Sequence, residues 1–90
     1  MSPEIAGLYA SAIVDAANKI AATVPIGWTT LEVPVADVAT NLNQHLAQVL
    51  SALDNDFGPI SMSLPAGWKL GNSEGGASAL TILRKPVQIQ

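Results

Sequence analysis

The chain has 90 residues, of which 49% are hydrophobic and only 12% charged, with four Lys or Arg against seven Asp or Glu and no cysteine. A domain of this size buries about 60–65% of the surface its unfolded chain exposes, and ordinary soluble chains are about 25% charged. Part of the apolar surface is therefore expected to be covered by another copy of the chain or by a partner. The bases Lys19, Lys69, Arg84 and Lys85 are too scattered to neutralise a run of phosphates, which argues against nucleic-acid binding. Seven acids are too few to imitate a nucleic-acid backbone, and the lack of cysteine excludes disulfides, thiolate metal sites and thiol nucleophiles. The start Met-Ser-Pro-Glu lacks a basic segment, and no apolar run reaches the roughly 18 residues of a membrane span. A soluble, cytoplasmic protein without membrane contact is the expectation.

Ser2-Pro3-Glu4 opens a helix. Ser2 can cap free backbone N–H groups, Pro3 suits the first helical position, and Glu4 complements the positive end of the dipole. The helix is predicted to run to about Thr23, with Ile5, Leu8, Tyr9, Ala12, Ile13, Ala16 and Ile20 as its main stripe. Asp15 and Lys19 stand at the spacing of an exposed ion pair. A second stripe, Gly7, Ala10, Val14, Ala17 and Ala21, is made almost wholly of small residues. It suits close approach of another backbone, either within the chain or from a symmetry mate, although alanine is also simply the best helix former.

Pro25-Ile26-Gly27-Trp28 has the chemistry of a turn, and Trp28 to Val33 reads as a short strand with Thr29, Leu31 and Val33 on one face. Pro34 closes it. Next comes the longest apolar stripe of the chain, Val35, Val38, Leu42, Leu46, Val49, Leu50, Leu53 and Phe57, in steps of three and four. It predicts one central helix from Val35 or Ala36 to about Leu53, with Asp54 to Gly58 as turn residues because two aspartates are electrostatically misplaced at a helix C-terminus. Ile60, Met62 and Leu64 alternate with Ser61 and Ser63, the pattern of a half-buried strand. After Pro65-Ala66-Gly67, extension resumes at Trp68-Lys69-Leu70. The segment 71–76 reads as a loop and Ala77 to Lys85 as a return strand with Leu80 and Ile82 on one face. The tail from Val87 to Gln90 alternates apolar and polar residues beyond Pro86. Together these elements predict a single α+β domain over residues 1–90, two helices packed on a small, mainly antiparallel three-stranded sheet in the order α-β-α-β-β.

Pro-x-Gly-Trp occurs twice, at Pro25 and at Pro65, with unlike flanks, and reads as repeated turn chemistry. It leaves Trp28 and Trp68 just after tight turns, where an aromatic can stack on a ligand or fill a partner's pocket. His45 is the only histidine, and its neighbours Asn41, Asn43, Gln44 and Gln48 supply neither a nucleophile nor an orienting carboxylate, so a structural role is the commoner reading. Asn41, Gln44 and Gln48 would share one side of a continuous helix and offer donors and acceptors together, against the plainer reading of a solvated face. Asp54-Asn55-Asp56 resembles the start of a calcium loop, but Pro59 stands where glycine is required and Pro65 where the bidentate glutamate belongs. The loop holding Asn72 lacks the Lys-Ser/Thr of a phosphate loop and leads into a strand, so a hairpin tip able to close on a ligand is its functional reading.

The sequence thus points to a non-enzymatic, homo-oligomeric binding protein that occupies or sequesters a partner protein or a small polar ligand, with no cofactor. Its candidate contacts are Trp28, Trp68, Asn41, Gln44, His45, Gln48 and Asn72. The alternative is a structural subunit of a viral particle or bacterial multiprotein assembly. An enzyme using His45 with Asp37, Asp54 or Asp56 is the third reading.

Overall fold

The computed structural model describes residues 1–23, 29–71 and 79–84. Trp28, Asn72, the first Pro-x-Gly-Trp turn, most of the glycine loop and the tail after Arg84 lie outside the described residues. The elements run α1 (Pro3–Ala21), β1 (Thr30–Pro34), α2 (Val35–Leu42), α3 (Leu46–Asn55), α4 (Phe57–Met62), β2 (Trp68–Leu70) and β3 (Ala79–Arg84). The three strands form one antiparallel sheet in the order β1-β3-β2, with Leu31 opposite Ile82 and Leu70 opposite Ile82 on the other side. This is the expected α+β class with its late hairpin. Among the described residues it has four helices, however, where two were expected.

The start of α1 follows from its first residues. Ser2 Oγ accepts from the Ile5 N–H at 3.2 Å, with Pro3 in the first turn and Glu4 beside it. The helix buries Ala6, Tyr9, Ala10, Ala12, Ile13, Ala16 and Ala17, so the small-residue side faces the core of its own chain. Ile5 and Leu8, expected on the buried stripe, are 46% and 61% exposed. The centre of the buried arc lies between the two predicted stripes, where alanines let neighbouring backbones come close. Asp15 and Lys19 make no ion pair; among the described residues the ion pair is between the Met1 amine and Asp56, at 3.4 Å.

The sheet behaves as its alternation dictates. Leu31, Val33, Leu70, Leu80 and Ile82 are buried on one face in a single core with residues from all four helices. The other face carries Thr30, Glu32, Lys69, Thr81 and Leu83 by register. Between α4 and β2 the Trp68 N–H donates to the Pro65 carbonyl at 3.1 Å, and Gly67 sits at φ 87°, the position where such a turn needs glycine.

Three expectations fail between Val35 and Leu64. The central stripe is not one helix, because Asn43 takes a left-handed conformation (φ 55°, ψ 45°) and ends α2. The Gln44 N–H donates to the Ala39 carbonyl and the Asn43 N–H to the Thr40 carbonyl, the two bonds that close a helix end in a Schellman motif. A new helix, α3, then begins after His45, and the apolar stripe continues across the bend. Asp54 and Asn55 belong to α3, not to a turn, and Phe57 and Gly58 to α4. The predicted strand at Ile60–Leu64 is likewise overturned: Ile60 to Met62 are helical and Leu64 follows the last turn. Ile60 and Leu64, four apart, are buried while Met62 is 87% exposed, a helical pattern where a strand would bury all three.

The bend makes a direct prediction. Asn43→Gly is expected to raise stability by a few tenths of a kcal/mol or more, whereas Asn43→Val should lower it by about 1–2 kcal/mol, since a left-handed residue penalises a branched Cβ. Urea midpoints of the two variants check this, and equal midpoints would contradict the left-handed geometry.

Candidate functional site

The polar side chains that the sequence singles out are organised by the α2–α3 bend. An open depression there is lined by Ala39, Thr40, Asn43, Gln44, His45 and Gln48. The end of α2 supplies Ala39 and Thr40, the left-handed turn supplies Asn43 and Gln44, and the start of α3 supplies His45 and Gln48. Three predicted contacts, Gln44, His45 and Gln48, are therefore brought together. The reason is the break itself, because residues separated by a Schellman turn can face one concavity.

Asn41 is not part of it. Its Nδ2 donates to the Ala12 carbonyl on α1 at 3.0 Å, and it lines a separate depression with Ala16, Lys19, Asp37 and Thr40. The predicted Asn41-Gln44-Gln48 stripe is corrected accordingly: it required a continuous helix, and α2 ends before Gln44. Trp68 lies on β2, partly buried against the core, with the Arg84 guanidinium carbon 5.8 Å from its ring centroid. It does not line the depression.

Hydrogen bonds fix several groups at the bend. The Tyr9 hydroxyl donates to Gln44 Oε1 at 2.8 Å, which ties the turn to α1. Gln48 Oε1 accepts from the His45 backbone N–H at 3.4 Å, while the His45 carbonyl accepts from the N–H groups of Gln48 and Val49. Thr40 Oγ1 donates to the Ala36 carbonyl at 3.0 Å, which leaves its oxygen able to accept. Gln44 thus spends its oxygen on α1 and Gln48 on the start of its own helix, and neither Nε2 has a partner among the described residues. The rim presents amide donors beside hydroxyl and amide acceptors, with no charged carboxylate, lysine or arginine in its lining. Asp37, Asp54 and Asp56 are not in its lining, so among the described residues no carboxylate stands there to orient His45. Among the described residues no three His, Asp or Glu side chains group to hold a metal ion, and no helix is long and apolar enough to cross a membrane.

No family model matches the chain, and no curated protein or solved structure is similar enough to it to carry an inference. The chemistry of the site must be argued from its own residues.

Tyr9 and Asn43 are the parts of the site that the sequence reading passes over. Asn43 carried a signal, since asparagine is the side chain after glycine that best tolerates the left-handed end of a helix. Tyr9 carried none, because its partner is 35 residues away. Burial pushes the Tyr9 phenol above its ordinary value of 10.0, and the Asp56 carboxylate adds to the shift. The unfolded chain therefore loses this proton at lower pH than the folded one. The resulting stability is intact below pH 10 and declines as pH rises through the folded value. Tyr9→Phe should cost about 0.5–1.5 kcal/mol at neutral pH. It should also flatten the alkaline decline, read from denaturation midpoints between pH 8 and 11; an unchanged alkaline slope would contradict the assignment.

Proposed function

We propose that this chain is a non-enzymatic, homo-oligomeric binding protein whose depression at the α2–α3 bend takes a small polar ligand or a polar segment of a partner protein. The observation that carries this reading is that Gln44 and Gln48 stand together in this lining, their oxygens accepting from the Tyr9 hydroxyl and the His45 N–H and their Nε2 donors without a partner among the described residues. Preorganised donors cost less entropy to engage than free side chains do. With hydroxyl and amide acceptors on the same uncharged rim, the complementary ligand is neutral and bears both donors and acceptors, such as a peptide group or an amide. Self-association is supported by the large apolar side chains left exposed, among them Leu8, Leu46, Met62 and Leu83. They are spread over the helical layer and the sheet, which also suits contacts between unlike faces and keeps the structural-subunit reading in play.

Native mass spectrometry over a range of protein concentrations tests the reading. A fixed oligomer carrying a retained small mass, lost in Gln44→Ala and Gln48→Ala, is the expected result. A bare monomer at every concentration would overturn it, and a concentration-dependent ladder without added mass would favour the structural subunit. Retention in His45→Ala of any activity found in the protein would remove the enzyme reading.

A further inference from the structure

The depression that Asn41 lines lies between α1 and α2, measures about 210 Å³, and is bounded by Ala16, Lys19, Asp37, Thr40 and Asn41. Asn41 reaches Ala12 while Asp37 shares the lining with Lys19, so the two helices run in opposite directions here. The last turn of α1, which holds Lys19, is thereby set beside the first turn of α2, which holds Asp37. Each residue carries the charge that the dipole of its own helix favours at that end. This local cause accounts for each charge singly and leaves them together in one concavity, where, among the described residues, neither is in an ion pair.

The lining therefore offers an ammonium group and a carboxylate at once. Thr40 and Asn41 stand three and four residues after Asp37, on the same face of α2. Asn41 spends its Nδ2 on the Ala12 carbonyl at 3.0 Å, which leaves Oδ1 as an acceptor, and Thr40 Oγ1 can accept as well. A lone anion drawn by Lys19 would meet Asp37, and a lone cation drawn by Asp37 would meet Lys19. A ligand that carries both charges close together satisfies both. The volume is below the roughly 300 Å³ at which pockets for drug-sized ligands begin, which restricts the occupant to a small molecule. Ala16, buried at the base, adds an apolar contact for a short side chain.

We propose that the α1–α2 depression binds a small α-amino acid as its zwitterion, with the carboxylate on Lys19 and the ammonium on Asp37 and Asn41 Oδ1. This goes beyond the binding reading at the bend and uses other charged groups, so the two can fail separately. The probe is L-alanine, titrated into the whole chain and followed by the NMR shifts of residues in α1 and α2. N-acetyl-L-alanine, which lacks the ammonium, and L-alaninamide, which lacks the carboxylate, serve as controls. L-alanine is expected to saturate one site per chain, and each control to bind about tenfold more weakly for want of one charged hydrogen-bonding group. Lys19→Met and Asp37→Asn are expected to weaken L-alanine by the same factor. Both side chains are exposed, so the variants keep the fold, which similar denaturation midpoints confirm. Gln44→Ala and Gln48→Ala are expected to leave L-alanine binding unchanged. Absence of a saturable shift with L-alanine overturns the proposal, as does equal affinity for all three compounds or for the wild type and both charge variants. Loss of L-alanine binding in Gln44→Ala, with Lys19→Met unaffected, would place the amino acid at the bend and overturn this proposal while supporting the other.

Discussion

Ile60→Ala is expected to destabilise the protein by about 2–5 kcal/mol, the cost of removing a large aliphatic side chain from a closed core. Ile60 is fully buried and joins α4 to the core shared by α1 and the sheet. A domain of this length has only some 5–13 kcal/mol of total stability, so the variant should lose a large fraction of its denaturant midpoint. Met62→Ser, two residues on, should change it by less than about 0.5 kcal/mol because that side chain stands in solvent. The contrast distinguishes helix from strand. On a strand Ile60 and Met62 would share a face and both substitutions would be costly; comparable losses at the two positions would mean that α4 is wrong.

Enlarging the small side of α1 should be the second large effect. Ala17 is fully buried, and Ala17→Leu adds three carbons where the surroundings have no room, at a cost of about 1–3 kcal/mol or more. Gly7, on the same predicted stripe, behaves differently. A Cβ built there meets nothing within 4 Å, so Gly7→Ala should raise stability by about 0.5–1 kcal/mol through helix propensity alone. Thermal or urea unfolding measures both. If Gly7→Ala instead destabilised the protein or broke an oligomer, a neighbouring copy would be packed on that turn of α1.

The two tests bear on how the helix uses its alanines. Ala10 and Ala17 are buried within their own chain, which explains the close approach that small residues permit without any second molecule. Ile5 and Leu8 then stay outside although they are the larger hydrophobes. Size alone did not decide which side turned inward. The Ala12 carbonyl of α1 also accepts from the Asn41 amide and the Tyr9 hydroxyl donates to Gln44, bonds that hold α2 and the turn after it alongside the 9–12 stretch.

What the sequence determined by itself was local. Ser2, Pro3 and Glu4 specify the start of α1 because a cap, a missing N–H and a dipole partner act within one turn. The alternation through Leu31 and Val33, and through Leu80 and Ile82, specifies buried strand faces because side chains on a strand have no other arrangement available. Gly67 is required by the sign of its own φ. The tertiary structure decided where local signals were degenerate. Ile60 and Leu64 satisfy a strand at spacing two through Met62 and a helix at spacing four without it, and only packing against α1 selects the helix. An unbroken apolar stripe could not reveal the bend at Asn43, since the stripe resumes in α3 on the same core. The site has the same origin: Gln44, His45 and Gln48 share a depression because the chain turns between α2 and α3, and that turn is held by Tyr9, a residue distant in sequence and near only in the fold.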